Sequence, residues 1–367
     1  MRRRRVALAL AWGNRHTARL TSWLVSRSKV SVRVRLIQHG ASGWGPMNLH
    51  TYRVGIVGLG AVGLRMIGNM ETHNRFKPVV GFDTSPAAAT ALAEQSPETS
   101  SVRDFQALLA RDDIDVLYVS TPPSSHAEYV RHGIAKGWKI FCEKPLGVDV
   151  ADSEGLAAEM NASGLDQAVN FVYSGAPAAL RAKQLINEGV VGEITGAELD
   201  VRLSRWPRAF QAKASWLSKR AEGGFTREMI SHHAYLTLML LGTPRLNGEV
   251  LAHFGPEDGA ENLMMAVWDS DMGRVSVSGA VGGNRQDTVS YRILGSKGCL
   301  RFDNWYNLLL ENTDGTEEVL NLTERAPTAA YQGQLDQLAH QFDTSEKRLA
   351  SFDDALIVQK LIEGMVA

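Results

Sequence analysis

The chain has 367 residues, too many for one small core and about right for two domains. Its two cysteines, Cys142 and Cys299, exclude a disulfide framework and fit a reducing compartment, the cytoplasm. No apolar run approaches the ~20 residues that span a bilayer, so no membrane partner is expected.

The formal net charge of −1 conceals an asymmetry. Residues 1–46 hold ten Lys/Arg and no acid, which leaves 29 basic against 40 acidic side chains in the rest, a formal −11. An acidic body argues against nucleic acid as a partner. The basic segment reads as a disordered extension, a targeting or export segment, or a misassigned start, with Met47 the preferred first residue and export the minor alternative.

Next comes a short apolar run, residues 53–57, closed by Gly58-Leu59-Gly60-Ala61-Val62-Gly63. A strand, a Gly-x-Gly-x-x-Gly turn and a helix start are the elements that cradle a dinucleotide pyrophosphate. Gly58 permits the tight turn, Gly60 lets phosphate approach the backbone and Gly63 lets the helix pack on the strand. The first free N–H groups of the helix, at Ala61 and Val62, belong to the same cradle. A second strand, residues 78–83, ends in Asp83, 20 residues beyond Gly63, where a carboxylate would hold ribose hydroxyls. Thr84 and Ser85 follow, with no adjacent Arg for a 2′-phosphate, so NAD is expected rather than NADP.

Strand patterns continue at 116–120, 139–142 and 167–171, alternating with helical stretches at 63–72, 86–95, 105–110, 126–136 and 152–161. Such alternation predicts an α/β, doubly wound parallel sheet with right-handed crossovers. Ligands bind at the carboxyl edge of such a sheet. Ser120-Thr121-Pro122 and Glu143-Lys144-Pro145 follow strands at that edge. Beyond Tyr173 the pattern changes. Short alternating segments at 195–202, 249–254, 262–267, 273–278, 288–294 and 299–302 predict a largely antiparallel open sheet. Helices at 178–188, 229–241, 332–342 and 352–365 complete an α+β domain. The expected division is 1–46 as extension, 47–173 as the Rossmann dinucleotide-binding domain, and 174–367 as the substrate-binding and oligomerisation domain.

These residues together resemble the Gfo/Idh/MocA family, the glucose-fructose oxidoreductase and inositol dehydrogenase group. The resemblance spans about residues 52 to 365. It rests on the Gly58–Gly63 turn, Ser120-Thr121-Pro122, His126 and Cys142-Glu143-Lys144-Pro145. Gly192-Glu193-Ile194, Gly223-Gly224 ahead of a His-bearing helix, and Gly295-Ser296-Lys297-Gly298 follow in order. Glu-Lys-Pro is the most specific of these. The resemblance implies NAD(P)-dependent oxidation or reduction of a sugar, polyol, sugar acid or related small molecule. It also implies a homodimer or homotetramer formed through the open sheet. Ser120, Thr121, Pro122, His126, Glu143 and Lys144 become cofactor-binding candidates beside the glycine turn and Asp83.

The resemblance also places catalytic groups. Lys144 matches a lysine that takes part in catalysis or orients substrate and ribose, and an ammonium there can polarise a carbonyl. His232 matches the family's catalytic histidine, and Glu228 stands where Asp is usual. Residues i and i+4 share a helix face, so Glu228 is expected to orient His232 as the general acid/base. Two departures stand out: Glu replaces Asp at 228, and Tyr173 is followed by Ser174 where an Arg is common.

The acid-free stretch 201–221 carries Arg202, Arg205, Arg208, Lys213, Lys219 and Arg220 among Trp206, Phe210 and Trp216. It suits either an anionic substrate or a solvated basic face. Substrate candidates are therefore Tyr173, Trp206, Arg208, Arg227 and His233. No metal is expected, because adjacent helical histidines diverge by about 100° and no ligand set accompanies them. Two rival readings are a hydrolase or lyase that uses tightly bound NAD transiently, and a non-catalytic NAD-binding regulator.

Overall fold

The computed structural model describes residues 50–211, 214–321 and 326–367. The expectations for residues 1–46 and for Lys213 lie outside them. The first half runs β1 (Tyr52–Val57), α1 (Ala61–Glu71), β2 (Phe76–Phe82), α2 (Pro86–Gln95), β3 (Ser100–Val102), α3 (Phe105–Leu109), β4 (Val116–Val119), α4 (His126–Lys136), β5 (Lys139–Glu143), α5 (Val150–Ser163) and β6 (Gln167–Asn170). The six strands lie in the order β3-β2-β1-β4-β5-β6, all parallel. Central strands are apolar without alternation. Val54, Ile56 and Val57 of β1 and all of β4 are buried, because helices cover both sheet faces. The order reverses between β1 and β4, and that switch point opens a crevice at the carboxyl edge.

The second half runs α6 (Pro177–Asn187), β7 (Ile194–Leu203), a π-helical turn (Thr226–Ile230), α7 (Ser231–Leu241), β8 (Arg245–Phe254), β9 (Glu261–Ser270), β10 (Gly273–Val281), β11 (Thr288–Gly295), β12 (Gly298–Asp303), β13 (Asn307–Asn312), β14 (Glu317–Asn321), α8 (Ala326–Thr344) and α9 (Phe352–Val366). Its eight strands are ordered β14-β13-β12-β11-β7-β10-β9-β8. All pairs are antiparallel except β7 with β10. One face alternates into the core, as Val275 and Val277 do on β10, while Arg274 and Ser276 face outward.

The expected fold class is the observed one, with three strands added. β3 is short and largely exposed, and β13 and β14 extend the open sheet at its edge. Helix α8 crosses back to the first sheet. Its Leu335, Leu338 and Phe342 join the core formed by Tyr52, Phe76 and Met70. Helix α9 packs against α5 and α7 and so ties the two sheets together.

Candidate active site

The glycine turn shows three different physical demands. Gly58 has φ +95°, and a Cβ there would overlap the Ser120 carbonyl. Gly63 packs its Cα so closely on the Gly58 carbonyl oxygen that a Cβ would overlap it. Gly60 is the opposite case: a Cβ there meets nothing within 4 Å. Its open side lies at the start of α1, where Ala61 and Val62 are exposed and the first N–H groups point outward. Asp83 stands across the turn. Its Oδ2 accepts the Leu59 N–H at 2.7 Å and its Oδ1 accepts the Ser85 N–H at 2.8 Å. Each oxygen keeps a second lone pair for a ribose hydroxyl. Ser120 donates its hydroxyl to the Gly58 carbonyl at 2.8 Å. Open space at the Gly60 Cα over a helix N-terminus, flanked by a carboxylate, fits a dinucleotide.

His126 is a correction. Its ring is fully buried, with Nδ1 2.8 Å from the Pro145 carbonyl and Nε2 2.8 Å from the Thr121 carbonyl. It cannot touch a cofactor. It ties the Thr121-Pro122 loop to the Lys144-Pro145 loop, and burial holds its pKa below the ordinary value. Glu143 also points inward. Its Oε1 accepts the Tyr118 hydroxyl at 2.6 Å and the Asn170 amide at 2.5 Å, and burial raises its pKa.

Lys144 follows β5 into the crevice. Its side chain is 8% exposed, and Nζ donates to Glu228 Oε2 at 2.6 Å and to the Glu228 carbonyl at 3.3 Å. Glu228 belongs to the π-helical turn that precedes α7. The start of that turn is fixed by Glu261, a buried carboxylate on β9 that accepts the Thr226 N–H at 2.6 Å. Gly224, at φ +101°, leaves room for it.

The expected pairing of Glu228 with His232 does not occur. In a π turn the chain closes i to i+5, so residues 228 and 232 no longer stack one above the other. The Glu228 carboxylate is turned to Lys144 instead. His232 is 7% exposed, and its Nδ1 is buried with no partner among the described residues. The ring meets Phe171 and Trp305 edge-on, each at 5.8 Å. Burial, reinforced by the nearby Lys144 charge, holds its pKa well below the ordinary histidine value, so the ring is neutral near pH 7.

Three substrate candidates are removed by their placement. Tyr173 and His233 are both 0% exposed and bond to each other, hydroxyl to Nε2, at 3.0 Å. The His233 Nδ1 lies 3.0 Å from the Met229 carbonyl. Arg227 spends its guanidinium on Glu363, at 2.7 and 2.6 Å, and on the Arg220 and Gly223 carbonyls. Trp206 is half-buried and donates its Nε1–H to the Leu217 carbonyl at 2.8 Å, an anchor for its loop. Arg208 remains beside the site, half-buried.

The structure adds residues that carried no motif. Gln211 donates from Nε2 to Glu228 Oε1 at 3.2 Å and accepts the Arg208 Nε–H at 2.9 Å. Arg65 on α1 reaches the Tyr331 hydroxyl of α8 at 3.5 Å, close to Glu143. A neutral glutamine in a basic loop has no periodic or spacing signature, and Tyr331 is far away in sequence.

Residues 52–171 match the family model described as oxidoreductase family, NAD-binding Rossmann fold. Residues 179–301 match the GFO/IDH/MocA C-terminal domain. The chain is 28% identical over 293 residues to the dTDP-3,4-didehydro-2,6-dideoxy-alpha-D-glucose 3-reductase of Streptomyces violaceoruber, covering 76% of this chain and 82% of that protein. Among solved structures, an oxidoreductase from Agrobacterium radiobacter in complex with NAD+, L-tartaric acid and magnesium superposes with TM-score 0.74 at 15% identity, over 85% of this chain and 94% of that one. A 3-ketoreductase from Actinomadura kijaniata in complex with NADP and TDP-benzene superposes with TM-score 0.72 at 20% identity, over 86% and 97%. At such identities the structural likenesses speak for the fold. The two family models, taken with the glycine cradle and the Lys144 edge, show that the chain is an oxidoreductase of the Gfo/Idh/MocA family with an NAD(P)-binding Rossmann domain.

Proposed function

We propose that the protein is an NAD-dependent dehydrogenase or reductase acting on a sugar, polyol, sugar acid or related small molecule. The observation that carries this reading is the Lys144 ammonium at the ligand edge of the sheet, 2.6 Å from Glu228 and beside the neutral His232. Residues 47–173 hold the dinucleotide and 174–367 supply the substrate side. Bound nicotinamide would accept or supply the hydride. Lys144 stabilises negative charge developing on the reacting oxygen. His232 takes or returns the hydroxyl proton through Nε2, the ring nitrogen not sealed in the core. Glu228 serves Lys144, setting its position and offsetting its charge.

Asp83 supports NAD over NADP. Its carboxylate suits a 2′-hydroxyl and would repel a 2′-phosphate. The exposed apolar side chains Leu251, Met265 and Val267 on β8 and β9 support a homodimer or homotetramer formed through that face. Two free cysteines, Cys142 and Cys299, suit the reducing cytoplasm.

The test is a screen of sugars, polyols, sugar acids and amino acids with NAD, read by NADH absorbance. Stoichiometric NADH with one class supports the proposal. Substrate consumption without net NADH moves the assignment to a hydrolase or lyase that recycles bound NAD. NAD binding with no turnover of any class favours a regulator.

A further inference from the structure

Arg208 is the feature of the site that its own fold leaves incomplete. Its guanidinium is half-buried in the loop after β7, 4.6 Å from the Phe210 ring centroid and 6.0 Å from that of Trp206. Trp206 is itself anchored through the Leu217 carbonyl. The Gln211 Oε1 holds Nε at 2.9 Å, so ring contacts and one hydrogen bond together fix the plane of the fork. The two terminal nitrogens, Nη1 and Nη2, make no hydrogen bond or ion pair among the described residues.

The nearby carboxylates are already engaged. Glu228 gives Oε2 to Lys144 and Oε1 to Gln211. Asp287, whose charge also reaches Arg208, has Oδ1 bound to the Ser204 N–H and hydroxyl. Burial lowers the Arg208 pKa, which marks an environment that has removed water without supplying a bonded counter-ion. Other cations of the stretch 201–221 differ. Arg202 pairs with Asp200, Arg220 lies 3.9 Å over the Phe254 ring, and Arg205 and Lys219 are exposed. Lys144 has the Glu228 carboxylate as its bonded partner, whereas Arg208 feels the charges of Glu228 and Asp287 without a bond to either.

We propose that Arg208 recognises an oxyanion of the substrate, a carboxylate or a phosphate, through its free Nη1 and Nη2 edge. Gln211 is the positioning residue that aims it. This rests on the hydride-transfer reading of the same site. A planar fork with two parallel donors matches either group bidentately. The chain Arg208–Gln211–Glu228–Lys144 then sets the distance between the recognised anion and the reacting carbon. Substrates with the anion and the carbinol at the wrong spacing would bind without reacting.

Calorimetry on the NADH-loaded full-length protein tests this with D-gluconate, D-glucose 6-phosphate and the neutral D-glucitol. At least one of the two anions is expected to bind tenfold or more tightly than glucitol, with affinity that falls as salt rises. Arg208→Met should abolish that preference and its salt dependence, while NADH affinity stays unchanged. Arg208→Lys keeps the charge without the fork and should retain the salt dependence at reduced affinity. Gln211→Leu should weaken the anion alone, and Gln211→Glu should weaken it more. The proposal is overturned if neither anion binds up to about 100 mM, far above a millimolar Kd. It is equally overturned if glucitol binds as well as both anions, or if Arg208→Met leaves anion binding intact. Failure of wild-type protein to bind NADH would instead overturn the oxidoreductase reading.

Discussion

The Lys144 ammonium donates to the Glu228 carboxylate at 2.6 Å, across the crevice between the two sheets, and it also reaches the Glu228 main-chain carbonyl. Both ends of this pair are set by local geometry. Lys144 leaves the end of β5, and Glu228 is displaced toward it by the π turn. A charge pair with one partner 8% exposed holds the lysine where a reacting oxygen would arrive. Lys144→Met is expected to lower kcat by 10²-fold or more, the scale of losing one charged donor to an oxyanion. Glu228→Gln keeps the hydrogen-bonding shape and removes the charge, so a smaller loss, about 10-fold, is expected. Steady-state kinetics on the substrate found by the screen decides. Equal losses in both variants would mean that the pair acts only as a structural tie.

Gly60 and Gly63 separate binding from folding. A methyl at Gly60 meets no protein atom within 4 Å, whereas one at Gly63 overlaps the Gly58 carbonyl. Gly60→Ala should leave the melting temperature within a degree or two and weaken NAD binding at least tenfold, because the methyl stands where pyrophosphate approaches. Gly63→Ala should instead lower stability by about 1–3 kcal/mol, the usual range for overpacking. Thermal melts with and without NAD read both effects. Unchanged NAD affinity in Gly60→Ala would place the phosphates elsewhere.

These contrasts show what the sequence made legible. The steric demands at Gly58 and Gly63 follow from spacing alone, because a strand–turn–helix leaves little freedom at those positions. The parallel sheet follows from alternation, and Lys144 from a motif at a strand end. Glu228 and His232 satisfy the i,i+4 rule in sequence, and nothing in Thr226–Ile230 announces a π turn, whose start is held by Glu261, 35 residues away, accepting the Thr226 N–H. Tyr173 and His233 look like pocket residues as polar aromatics near a cleft. Only the three-dimensional pairing of the two shows them to be core. The helical stretch 332–342 of α8 is legible, but its crossing back to the first sheet, which brings Tyr331 to the site, comes from tertiary packing and leaves no local trace.

His232 is expected to carry the proton. His232→Ala should lower turnover by 10²–10⁴-fold, the usual contribution of a positioned acid/base, with NAD affinity nearly unchanged. Its depressed pKa means that the neutral, proton-accepting form persists below pH 6.5. The acid limb of kcat/KM for alcohol oxidation should therefore lie below that of an ordinary histidine. An unchanged kcat in His232→Ala would remove it from the reaction.

His233 links stability to pH in a predictable direction. Full burial pushes its pKa down to about 4 from 6.5, and the tautomer with Nδ1–H donating to Met229 lets Nε2 accept the Tyr173 hydroxyl. Below 6.5 the unfolded ring binds a proton that the folded ring refuses, so the unfolded state is favoured as pH falls. The stability is complete above 6.5, declines as pH drops to about 4, and is level below that. The full shift corresponds to about 3 kcal/mol, of which about 2 kcal/mol is lost by pH 5. His126 and His232, also buried with lowered pKa, act in the same direction. Urea denaturation at pH 7 and pH 5 measures the sum. His233→Gln cannot titrate, and it should be less stable than wild type at pH 7 yet lose about 2 kcal/mol less on acidification. Parallel losses in the two proteins would mean that His233 titrates in the fold as it does in the unfolded chain, with no pKa difference between the two states.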